Sequence, residues 1–119
     1  MATSNIEDLQ RARTALTKFL TLMHKGEYGE ATKYYGGSYD VLQNWNPPVD
    51  KNDHAALLEA GCKYQLGCFA VRRVTSEKQL SQDTFALTVE FTDTDGDLYV
   101  RGPLPGDRFL VQDLPPMGP

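Results

Sequence analysis

Apolar residues recur every three or four positions up to Cys62 and every second position after Gly67. The first spacing predicts helices and the second predicts strands. Ile6, Leu9, Leu16, Phe19, Leu20 and Met23 fall on one helical face. Ser4-Asn5-Ile6-Glu7 before them has the form of a capping box, and Lys25-Gly26 after them reads as a stop. A second, shorter helix is expected from about Glu27 to Tyr35, with Ala31, Tyr34 and Tyr35 inward and Gly36-Gly37 ending it. A third begins near Asp50 or Asn52 and runs through Leu57 and Leu58 to Gly61; Asn52 and Asp53 suit its start.

The strands follow. Phe85, Leu87, Val89 and Phe91 alternate with Thr84, Ala86, Thr88 and Glu90, which predicts one buried and one solvated face. Cys68 to Thr75 reads as an earlier strand whose alternation slips at Arg72-Arg73. A β-bulge there turns Phe69, Val71 and Val74 all inward. Leu98–Arg101 and Arg108–Gln112 are two more strands, joined by a tight loop over Gly102–Asp107. Asp95-Gly96 is expected to be a hairpin turn. Its neighbourhood, Asp93 to Asp97, lacks the calcium-loop spacing, because Gly102 stands where the bidentate Glu belongs. The order of elements predicts one α+β domain over residues 1–119, with three N-terminal helices packed on a curved antiparallel sheet of about four strands.

Composition fits a folded domain: the 119 residues are 40% hydrophobic and 24% charged. A net charge of −4 argues against nucleic acid as a partner, since phosphate contacts need clustered Lys and Arg. No apolar run approaches the roughly 18 residues of a membrane span. The first residues carry no basic stretch followed by an apolar one, so the sequence as it stands reads as cytoplasmic, and as extracytoplasmic if a leader has been removed.

Residues 34–48 hold three of the six tyrosines and the single tryptophan. Aromatics with polar tips suit the rim of a pocket or the plug of a core. On the pocket reading, Phe19, Tyr35, Trp45, Leu58, Phe85 and Val89 line a modest apolar cavity for a small apolar molecule, without catalysis. On the other reading they are core. Cys62 and Cys68 are spaced wrongly for a metal site and have no second pair, so no metal is expected. They are either a disulfide across a helix–strand turn or two packed thiols. His24 adjoins a helix end, where the dipole favours a cation, and His54 adjoins a helix start. No phosphate loop, dinucleotide fingerprint or nucleophile elbow occurs, and no cofactor is expected.

Gly26, Tyr28, Ala31 and Tyr34, then Tyr35-Gly36-Gly37-Ser38-Tyr39, Trp45-Asn46-Pro47, Cys62 with Gly67-Cys68, and Asp95-Gly96 resemble small bacterial domains of the NTF2-like superfamily, which has the cystatin-like fold. The resemblance covers nearly the whole chain and implies a cone-shaped fold. Those domains have no assigned function and are often exported, which favours the disulfide and an extracytoplasmic setting. The superfamily also includes isomerases and dehydratases. Their chemistry implies an Asp base, for which Asp40 and Asp53 are the candidates, a Tyr donor, for which Tyr35 and Tyr39 are, or a His pair. His54 adjoins Asp53, and on a helix such neighbours diverge by about 100° and form no dyad with each other. None of their motifs carries over residue by residue. Members often pair through the sheet, and the small outer residues Thr84, Ala86 and Thr88 suit a homodimer of that kind. The relatives have a longer loop with further cysteines where this chain has Gly102–Asp107, so a shared ligand does not follow.

Overall fold

The computed structural model describes residues 2–92 and 94–116, with side chains from residue 6 onward. Helix α1 spans Ala2–Lys25. Its inner face buries Ala12, Ala15, Leu16, Phe19, Leu20 and Met23. Ile6 is 60% exposed, so the apolar stripe reaches the core only from Leu9 onward. The helix is already formed at Ala2, which places Ser4 inside it and not at its cap; the Ser4 side chain lies outside the described residues. At the other end Gly26 N–H donates to the Met23 carbonyl at 3.2 Å and Glu27 N–H to that of Leu22 at 2.9 Å, the two bonds of a Schellman stop.

The expected second helix divides into α2, Tyr28–Ala31, and a 3-10 turn over Thr32–Tyr34. Gly29 lies inside it and disfavours a longer helix. Another helix, α3, occupies Asp40–Trp45 within the aromatic stretch. Only Leu42 of its residues is buried, so no apolar period announces it. Helix α4 spans His54–Tyr64, and the Asp53 carboxylate accepts from Ala56 N–H at 3.1 Å as its N-cap. The described residues therefore hold four α-helices before the sheet, against the three expected.

The sheet is an antiparallel meander in the order β1-β2-β3-β4. Strand β1 runs over Val71–Ser81, β2 over Thr84–Phe91, β3 over Asp95–Leu104 and β4 over Arg108–Val111. The β2 boundaries are those expected. The bulge lies where the alternation slips, between Val71 and Arg73, and Phe69, Val71 and Val74 pack against the core. Two further shifts, between Val74 and Ser76 and between Gln79 and Ser81, extend β1 well past Thr75. Each added residue resets the inward side, so a period-two pattern does not report this strand.

Two turns lie elsewhere than expected. Asp95 and Gly96 are in β3, opposite Glu90 and Val89. The chain reverses before them, where Phe91 N–H donates to the Thr94 carbonyl at 2.8 Å; Asp93 lies outside the described residues. Gly96 serves the tail: a Cβ there would sit 3.0 Å from Cγ of Pro116. The tail is held by Gly67 N–H, which donates to the Pro116 carbonyl at 2.8 Å. The loop expected over 102–107 shortens to Pro105, Gly106 and Asp107, because Gly102-Pro103-Leu104 stays in β3.

Helix α1 touches all four strands. Its buried face meets Phe85, Leu87, Val89, Phe91, Leu98 and Val100 from the inner faces of β2 and β3, and Leu57 and Leu58 of α4 belong to the same hydrophobic cluster. No described helix is long and apolar enough to cross a membrane.

Candidate functional site

The six residues expected to line a cavity do not form one wall. Phe19, Leu58, Phe85 and Val89 have no exposure and Tyr35 has 7%, all within the same core cluster. Trp45 stands apart, 42% exposed at the end of α3. With α1 laid across the strands, the aromatic rings meet one another. Phe19 stacks on Tyr35 at 5.6 Å, and Phe85 lies 6.2 Å from Phe109.

From Phe19 a line of rings leads outward. Tyr39 meets Tyr35 edge-on at 5.0 Å, and the exposed His54 lies face to face with Tyr39 at 3.9 Å. Tyr35 Oη donates to the Ser38 carbonyl at 2.8 Å. Tyr39 Oη is buried without a partner among the described residues. Burial raises both phenols. Tyr35 lies well above the ordinary tyrosine value, with smaller contributions from Tyr39 and Asp113, and Tyr39 is pushed up to about 12. Both are thus neutral donors at physiological pH.

The carboxylates expected to work with them lie in solvent. Asp40 is exposed in the first turn of α3, and the exposed Asp53 is occupied in capping α4. An acid–base pair needs both groups within reach of one substrate. Here the phenols point to the core side and the carboxylates serve helix starts.

Cys62 and Cys68 are joined in a disulfide, with Cα atoms 5.6 Å apart. His24, in the last turn of α1, has Nδ1 3.1 Å from the Cys68 carbonyl oxygen and so ties the helix end to this turn. The described residues contain no group of three or more His, Cys, Asp or Glu placed to hold a metal ion.

Sequence reasoning missed two polar residues. Asp113 accepts from the Tyr99 N–H at 2.7 Å, locking the tail to β3. Glu77, carried inward by the β1 bulges, pairs with Arg13 of α1 at 3.2 Å. Neither has a signal in the sequence, since each depends on a register that local patterns do not define.

A groove of about 740 Å³ lies between α1, the 3-10 turn and β4. Glu7, Arg11, Thr14 and Lys18 form its α1 wall, a stripe at helical steps beside the buried face. Lys33 and Tyr34 close one end, and residues 107–110 form the far wall. None of the six expected cavity residues borders it. Four of its residues are basic (Arg11, Lys18, Lys33, Arg108) and two acidic (Glu7, Asp107), in a chain of net charge −4. Lys18 Nζ lies 5.6 Å from the centre of the Tyr34 ring, and Lys33 pairs with Glu30 at 3.1 Å. Arg11 is only 3.9 Å from Asp8, whereas Lys18 and Arg108 make no ion pair among the described residues. No protein-family model matches this chain, and neither a curated protein nor a solved structure matches it.

Proposed function

We propose that this chain is a non-catalytic interaction module, a small NTF2-like domain of the bacterial type, and that it meets its partner at the groove between α1 and β4. One observation carries the reading: three of the four aromatics expected to line an interior cavity, Phe19, Tyr35 and Phe85, are buried in the core, while the groove lies outside them. The isomerase or dehydratase alternative loses support from the same arrangement, because Asp40 and Asp53 are exposed. The Cys62–Cys68 bond favours an oxidising, extracytoplasmic compartment.

Amide NMR spectra of the labelled protein test the reading, with short peptides and small apolar molecules added in turn. Peptide-induced shifts gathered on α1 and β4 are the expected result. Shifts centred on Phe19, Leu58 and Phe85 with an apolar molecule would replace it with an interior ligand site. A second reading, a homodimer through the outer sheet face, draws support from Tyr99, which is 41% exposed opposite Ala86. Light scattering at high concentration tests it; a monomer throughout removes it.

A further inference from the structure

We infer that the groove binds an extended, acidic peptide segment, which adds to β4 as a fifth strand; this deepens the interaction reading above and rests on it. Strand β4 is at the edge of the sheet. Gln112 N–H donates to the Tyr99 carbonyl of β3, while the Val111 carbonyl, facing the other way, accepts from Gly36 N–H at 2.8 Å. By the alternation of an antiparallel ladder, Phe109 presents its N–H and C=O on the same outer side as Val111.

Tyr35 begins a strand along that side, in a parallel bridge with Val111. It does not continue. The residues before it, Thr32–Tyr34, coil into the 3-10 turn, so the chain leaves β4 before it reaches the level of Phe109. The vacated place is the groove, and Phe109 lines it. An unpaired strand edge beside a trough is the geometry of strand addition, in which main-chain hydrogen bonds hold the ligand and alternate side chains give specificity. The size of the groove falls in the range of about 300–1,000 Å³ usual for binding sites.

Charge selects the occupant. Of the four cations that line the groove, Lys18 on the helix wall and Arg108 on the strand wall make no ion pair among the described residues, with Arg11 and Lys33 beyond them. Glu7 and Asp107 offset part of this charge, leaving an excess of two positive charges where the whole chain is negative. In an extended ligand alternate side chains share one face, so acidic residues at every second position meet these cations while apolar ones between them meet Ala15, Tyr34 and Phe109.

The test uses the whole protein with a blocked heptapeptide alternating glutamate and valine, its lysine-for-glutamate counterpart, and a version N-methylated at alternate residues. The acidic peptide is expected to bind at least tenfold tighter than the other two, to weaken with salt, and to slow hydrogen exchange at the Phe109 amide. The double variant Lys18→Glu, Arg108→Glu is expected to lose at least tenfold in affinity, both positions being exposed. Equal binding of the lysine peptide, unchanged affinity after N-methylation, or equal binding of free glutamate overturns this inference but leaves an interaction surface at the groove. No groove response to any peptide overturns both readings.

Discussion

Replacing Cys62 and Cys68 together with alanine removes a bond that closes a very short loop, with a sequence separation of 6. The loop-entropy relation gives about 8 cal/mol/K of lost unfolded-state freedom for such a ring, or about 2 kcal/mol at 25 °C. Unfolding entropy of about 2.1 cal/mol/K per residue gives roughly 250 cal/mol/K for the 119 residues, so Tm should fall by about 8 °C. The native turn has other ties. Gln65 and Leu66 N–H both donate to the Gly61 carbonyl, at 2.8 and 2.6 Å, and Gly67 is bonded to Pro116. The folded form should therefore keep its near-ultraviolet circular dichroism, and the loss should arise in the unfolded chain. Thermal melts of oxidised, reduced and double-alanine protein measure this. A Tm change below about 2 °C would refute the entropic account. So would a reduced protein that has lost tertiary signal at 25 °C, since the bond would then be holding the native packing itself.

Leu58→Ala, at a position with no exposure, should cost about 2–5 kcal/mol by urea unfolding, whereas a residue facing an open apolar pocket would cost far less. Asp53→Ala should lower stability by about 1 kcal/mol in the same assay through loss of the α4 cap. Tyr35 and Tyr39 both have raised pKa values, so the native state keeps protons that the unfolded chain releases above pH 10. Stability from this source is complete below pH 10 and declines as pH rises through about 12, and absorbance at the tyrosinate band should show two of the six tyrosines titrating late.

The elements legible in the sequence are those whose burial is decided locally. β2 packs one face only, and its alternation marks both of its ends. The stop of α1 and the cap of α4 are carried by single residues, Gly26 and Asp53. α3 escaped because it buries one side chain, and most of β1 because three bulges break its period. The aromatic stretch stands out in the sequence, but which ring enters the core depends on tertiary packing: Tyr35 does and Trp45 does not. The groove was illegible for a different reason. Lys18 and Arg108 are far apart in the chain and meet only because β4 ends the meander beside α1.

The two edges of the sheet are finished in opposite ways, and the contrast bears on how this domain meets others. β1 has eleven residues and an unpaired outer side, which would invite edge-to-edge association if it were flat. Its three bulges bend it, and Arg72, Arg73 and Lys78 stand exposed along it, so a copy approaching that edge meets a broken ladder and like charge. β4 has only four residues and is partly capped by Tyr35 and Gly36. A Cβ at Gly37 would collide with the Gln112 carbonyl oxygen and come within 2.6 Å of Tyr35 Oη, so this cap is pressed close against the strand end and stops there. Beyond it the edge at Phe109 opens on a trough with cations on both sides. A sheet that blocks its long edge and leaves one short stretch of the other open has limited strand addition to a single place, and the surrounding charge admits an acidic strand there in preference to a basic one.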